Sequence, residues 1–251
     1  MNSKSLQLWA ACIAVVSAAG CGPSSAQATD GRIAFLAHAP QAPIHPGQTS
    51  LGLASERDGF LFVPRDTTDH RGVPLLILLH GATQRAVLFQ RLLPAADSAG
   101  VAILAPDSRG ITWDAVRADF GPDVEFLRRA ITIAFDRARI DPCRVVLGGF
   151  SDGASYALSL GIRNASTIHG IVALSPGFII PAPQPERLPV FLRHGTRDEI
   201  LPINSTSRQL VALLRDAGFA VDYQEFDGPH MVRPDDARAA LQWTRSRSCG
   251  A

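Results

Sequence analysis

The sequence predicts an α/β fold: a mostly parallel sheet with helices on both faces and no large lid. Three observations carry this. Short apolar runs alternate with segments of helical spacing from residue 59 to near the end of the chain. The run Leu75-Leu76-Ile77-Leu78-Leu79 is apolar at every position, as a strand buried on both faces should be. One strand passes into a helix through Gly149-Phe150-Ser151-Asp152-Gly153, a turn tight enough to need its glycines.

The first elements are not part of that alternation. Lys4 is the only charge among residues 1–20, and Leu6 to Ala19 form an apolar run ending in small residues. A bilayer span needs roughly 20 apolar residues, so the run reads as the core of a secretory signal over residues 1–20. The junction Ala18-Ala19-Gly20-Cys21 resembles a bacterial lipobox. That resemblance implies that Cys21 is lipidated and anchors an exported protein to the cell envelope. The alternative is an ordinary signal cut near Ala26 or Ala28, with a periplasmic or secreted product. Residues 21–50, rich in Pro, Ala, Ser and Gln, are expected to be a tether, and residues 51–251 the single domain.

Within the domain, Gly59 to Val63 reads as a strand stopped by Pro64, and Leu75 to Leu79 as the next. Arg85 to Ser98 has helical spacing and is closed by Gly100; Val101 to Ala105 is a strand. Asp123 opens a helix whose apolar face is Val124, Leu127, Ile131, Phe135 and Ala138. Arg144 to Phe150 is a strand and Asp152 to Ile162 a helix. Ile171 to Leu174 and Val190 to Leu192 are strands. A helix spans about Ser205 to Ala217, Val221 to Phe226 is the last strand, and Pro234 to Ser246 the last helix. Ser175 to Leu188 is too short for a lid domain and reads as a small loop over the carboxyl ends of the strands.

A formal net charge of +1 leaves no basic surplus, which argues against nucleic acid and an anionic membrane face as partners. Membrane contact is expected only through the N-terminal lipid.

The Gly-x-Ser-x-Gly match is weak alone, but a strand precedes it and a helix follows, as a nucleophile elbow requires. Ser151 is therefore the candidate nucleophile, and a serine hydroxyl needs a base. His230 directly follows the last strand, and in a parallel sheet the site gathers at the strands' carboxyl ends. The acid that orients the imidazole is expected at Asp198, in the loop after the penultimate strand; Asp107, Asp152, Asp227 and Glu199 are the other choices. Two backbone amides should hold an oxyanion: that of Asp152, and that of Ala82 in His80-Gly81-Ala82-Thr83-Gln84, with Thr83 as the alternative. His80 and His194 read as structural turn residues.

Leu79-His80-Gly81, Gly148 to Gly153, His194-Gly195-Thr196-Arg197-Asp198 and Phe226-Asp227-Gly228-Pro229-His230 follow one another in order and spacing. Together they resemble the phospholipase/carboxylesterase group of α/β-hydrolases; Leu79 to Gln84 is also similar to polyhydroxybutyrate-depolymerase-like esterases. The resemblance covers about Asp58 to the C-terminus. It implies a carboxylic-ester hydrolase with a Ser-Asp-His triad, acting on small or medium acyl esters as its small-molecule partners, with no cofactor and no metal. Ala82-Thr83 stands where carboxylesterases often carry Leu-Gly, so the resemblance does not fix the shape of the acyl site. Polyester or feruloyl-type esters are the alternative substrates, and a non-catalytic envelope binding protein is the reading from another class.

Export bears on Cys143 and Cys249, since disulfides persist in oxidising compartments. Cys143 precedes a strand and so lies at the sheet's amino edge. The last helix starts near His230 on the opposite edge and returns, which places Cys249 near the same amino edge as Cys143. A bridge between them is expected, two free thiols being the alternative.

Overall fold

The computed structural model describes residues 30–41, 43–117 and 119–249. The expected signal at residues 1–20 and the Cys21 anchor lie outside the described residues. An eight-stranded sheet organises the chain, in the order β1-β2-β4-β3-β5-β6-β7-β8. Its strands are β1 Gly47–Ser50, β2 Gly59–Val63, β3 Val73–Leu79, β4 Ala102–Pro106, β5 Ile140–Phe150, β6 Ile171–Leu174, β7 Val190–Gly195 and β8 Val221–Phe226. β1 and β2 pair antiparallel with their neighbours, and all pairs from β4 to β8 are parallel.

The helices are α1 Leu93–Ala99, α2 Asp114–Arg117, α3 Pro122–Arg137, α4 Asp152–Gly161, α5 Ser207–Asp216 and α6 Pro234–Arg245. Alternation along each strand assigns them to two faces. Leu75, Ile77 and Leu79 of β3, with Val145 and Leu147 of β5, pack against α3, α4 and α5. Leu76 and Leu78, with Val146 and Phe150, face Phe89, Ala96 of α1 and Leu241 of α6. Every residue of β3 is buried, which is why it reads as an unbroken apolar run.

The structure departs from or adds to the expected elements at several points. Residues 86–92, expected as α-helix, form a 3₁₀ segment, and α1 begins only at Leu93, with Pro94 in its first turn. The short elements β1 and α2 have too few residues to show a period. The tether expected over residues 21–50 is in part a component of the domain: β1 pairs with β2, and Ile33 is buried. Asn164 satisfies that strap's backbone, accepting from the Ile33 N–H at 2.7 Å and donating to the Gly31 carbonyl at 2.8 Å. Finally, the 175–188 loop leaves the carboxyl end of β6 and packs on α4. It runs down α4, held by Ser155 Oγ at the Gly177 N–H, Ser159 Oγ at the Ile180 N–H, and the Arg163 guanidinium at the Ile180 carbonyl, each at 2.9 Å.

The amino edge carries the disulfide. Cys143 and Cys249 are bridged across 106 residues with their Cα atoms 4.7 Å apart, tying the end of α6 to β5.

Candidate active site

Ser151 sits between β5 and α4 with φ 58° and ψ −121°, a left-handed backbone that a non-glycine residue adopts only under constraint. The constraint is visible on both sides. A Cβ added to Gly153 would lie 2.0 Å from the Leu79 carbonyl oxygen, and one on Gly149 2.4 Å from the Gly153 carbonyl. Only glycine lets β3, β5 and the first turn of α4 approach this closely. The Ser151 N–H donates to the Leu174 carbonyl of β6 at 2.9 Å, which fixes the turn against the sheet.

The chain end of β8 delivers His230 to the same edge. Its ring lies 4.6 Å from the Phe150 ring, beside the residue that precedes Ser151. Its Nδ1 bonds Asp198 Oδ2 at 2.6 Å. The other carboxylate oxygen, Oδ1, accepts from the Ile200 N–H at 3.0 Å and the Leu201 N–H at 2.8 Å. Asp198 is thus fully buried as a side chain yet hydrogen-bonded on both oxygens, which a buried carboxylate requires.

The competing acids have other partners. Asp107 binds Arg85 and the Ala86 N–H, Asp152 Oδ2 accepts from Thr112 Oγ1 at 2.6 Å, and exposed Asp227 pairs with Arg197. Of these carboxylates, Asp198 is the one hydrogen-bonded to His230.

After β3 the chain turns over residues 81–84, the Gln84 N–H donating to the Gly81 carbonyl at 3.2 Å. Thr83 is at φ 62° and its N–H donates to the Ile111 carbonyl at 2.6 Å, so that amide is occupied. His80 holds the other side of the turn. Its Nε2 accepts from the Ser108 N–H at 3.0 Å, which leaves Nδ1–H to donate to the Gly81 carbonyl at 2.8 Å. Burial pushes the His80 imidazole below its ordinary pKa and favours this neutral form. In a planar peptide the N–H points away from the C=O, so pinning the Gly81 carbonyl aims the Ala82 N–H the other way. Gly81 itself is close to Ser151: a Cβ there would be 3.2 Å from Ser151 Cβ. The Asp152 N–H opens α4, where first-turn amides have no acceptor within the helix.

His194 is the site neighbour that sequence reasoning set aside. Its Nε2 lies 3.0 Å from Asp198 Oδ2 and 2.8 Å from the Leu201 carbonyl, and its Nδ1 is 2.6 Å from Ser207 Oγ. Its position four residues before Asp198, at the end of a strand, was the available signal.

Residues 76–250 match the model of the alpha/beta hydrolase family. The chain is 31% identical over 150 residues to the putative esterase NocK of Nocardia uniformis subsp. tsuyamanensis, covering 54% of this chain and 43% of that one. It is 30% identical over 107 residues to acyl-protein thioesterase 1 of Gibberella zeae, covering 39% and 45%. It therefore spans less than half the length of these curated relatives. Its fold is similar to that of the fluorophosphonate-binding serine hydrolase FphF of Staphylococcus aureus, with a TM-score of 0.63, 14% identity, and coverage of 80% of this chain and all of that one.

Proposed function

The chain belongs to the alpha/beta hydrolase family, and on that premise we propose that it is a serine hydrolase of carboxylic esters working through Ser151, His230 and Asp198. The observation that carries this is the 2.6 Å Asp198–His230 contact beside a serine held in a left-handed turn. In this reading His230 takes the Ser151 proton as Oγ attacks the ester carbonyl. The Ala82 and Asp152 N–H groups receive the negative charge that forms on the carbonyl oxygen. His230 then protonates the departing alcohol, leaving an acyl group on Ser151. Water, deprotonated by His230, attacks that acyl group, and His230 returns the proton to Ser151 Oγ as the acid leaves. Asp198 keeps the imidazole in its Nδ1–H tautomer and stabilises its protonated form.

Small or medium acyl esters are the proposed substrates. Ile111, Ile200 and Met231 support an apolar acyl or alcohol group, because each is exposed on a loop that holds the site. The same chemistry acts on a thioester, the bond type named for the Gibberella zeae relative. Export, with Cys21 carrying lipid, belongs to the same proposal.

A fluorophosphonate probe tests the reading. Wild type should label stoichiometrically, and Ser151→Ala should not label. Folded wild type that resists the probe would favour a non-catalytic binding protein instead.

A further inference from the structure

Asp198 is approached by two imidazoles, and the proposed chemistry uses one. The second, His194, ends β7 with its side chain fully buried. Its Nε2 hydrogen-bonds the Leu201 carbonyl at 2.8 Å and lies 3.0 Å from Asp198 Oδ2, so this nitrogen carries a proton. Nδ1 meets Ser207 Oγ at 2.6 Å, and in a neutral ring it is the acceptor of the hydroxyl proton. Burial pushes His194 below the ordinary histidine pKa, which favours the neutral ring.

We propose that His194, with its tautomer set by Ser207, is a positioning residue that holds the Asp198 carboxylate and the Leu201 segment in the orientation that receives His230. The segment is clasped from both ends. Leu201 donates its N–H to Asp198 Oδ1 and gives its carbonyl to His194, while Ser207 belongs to the first turn of α5. A neutral donor suits the place. It orients the carboxylate without cancelling the charge that His230 needs, whereas a Lys or Arg there would cancel it.

The surrounding charges are accounted for. Glu225 of β8, in register with His194, is bound by Arg208 at 2.8 and 2.6 Å and by the Tyr223 hydroxyl. Arg197 and Asp227 pair with each other at the surface, and Glu199 is exposed. The far side of His230 is covered by the apolar Phe150 ring.

The kinetic consequence rests on the hydrolase reading, whereas the titration of His230 does not. Losing the His194 donor concentrates charge on Oδ2, which stabilises the His230 imidazolium and raises its pKa. The test is an NMR titration of the His230 ring, with pH profiles of kcat/KM, for wild type, His194→Ala, His194→Gln and Ser207→Ala. His194→Ala should raise the His230 pKa by about half a unit to one unit. It should lower kcat by about 10- to 100-fold, as loss of an orienting partner does elsewhere, with KM nearly unchanged. His194→Gln keeps an N–H near the Nε2 position and should recover most of both effects. Ser207→Ala, which frees the tautomer without touching the carboxylate, should shift the pKa the same way by less. An unmoved His230 titration in folded Ser207→Ala and His194→Ala would overturn the proposal, as would a Gln variant no better than Ala. If His194→Ala does not fold, the other two variants decide. A shifted titration in a protein that hydrolyses no ester would uphold the positioning role and overturn the hydrolase reading.

Discussion

Two glycines at the site show how differently a single methyl group acts. At Gly153 the added carbon would meet the Leu79 carbonyl oxygen at 2.0 Å and its carbon at 2.4 Å, both backbone atoms of the central strand β3. Neither can move without breaking the sheet. At Gly81 the nearest atoms are Gln84 Oε1 at 3.1 Å and Ser151 Cβ at 3.2 Å, and these are side chains that can yield slightly. Gly153→Ala should therefore cost stability heavily, at or beyond the roughly 1–3 kcal/mol of ordinary overpacking, and yield little folded protein. Gly81→Ala should fold with a melting temperature close to wild type and lose most of the proposed esterase activity, because it crowds Ser151. Thermal melts read beside kcat/KM check both; a Gly81→Ala variant with full activity would contradict the placement of that loop. Gly149, Gly153 and Ser151 were legible because sterics dictates residue type directly. The preference for Ala82 over Thr83 has its structural ground outside the motif. It turns on a hydrogen bond from Thr83 to Ile111, which lies 28 positions along the chain and on another loop.

Ile111 lies near two carboxylates, Asp114 and Asp123, that tie the backbone at residues 109, 114, 121 and 123 together. Asp123 accepts from the Arg109 N–H at 2.6 Å and the Asp114 N–H at 2.7 Å. Asp114 in turn accepts from the N–H groups of Gly121 and Asp123 and from the Tyr156 hydroxyl. Burial raises the Asp123 pKa to about 6, and the neighbouring Asp114 charge pushes the same way against the backbone donors. A carboxyl group with a folded pKa above its unfolded value binds its proton more tightly when folded. Its contribution to stability is whole below about pH 4 and is lost as the pH rises through about 6. At 1.36 kcal/mol per unit the term is about 3 kcal/mol at most. Wild type should lose stability relative to Asp123→Asn between about pH 4 and 6; parallel stability profiles for the two proteins across that window would contradict this. At this scale, long strands and helices with a full period were legible. The 3₁₀ segment before α1 was not, because its apolar residues fit helical spacing while Pro94 sets where the α-helix starts.

Across the molecule, the sheet separates two jobs. Its carboxyl edge gathers Ser151, His230, Asp198 and the 80–84 turn from four different strand ends. Its amino edge carries the Cys143–Cys249 bridge that holds α6. That division follows from parallel strands and was readable from the alternation of elements. The packing of residues 30–41 and 43–50 onto the domain was not, because the apolar residues Ile33, Phe35 and Ile44 follow no helix or strand period and the burial of Ile33 depends on Asn164 far along the chain. The role of His194 was hidden for a related reason: its spacing to Asp198 is plain, but its buried partners lie on α5 and in the Leu201 turn. The central claim is that an acyl group passes through Ser151. Mixing the protein with p-nitrophenyl acetate, quenching in acid and mapping the peptides tests it most directly. An acetyl group on Ser151, formed with a burst of one equivalent of p-nitrophenolate, is the expected result. An acetyl group on another residue, or undiminished turnover by Ser151→Ala, would contradict it.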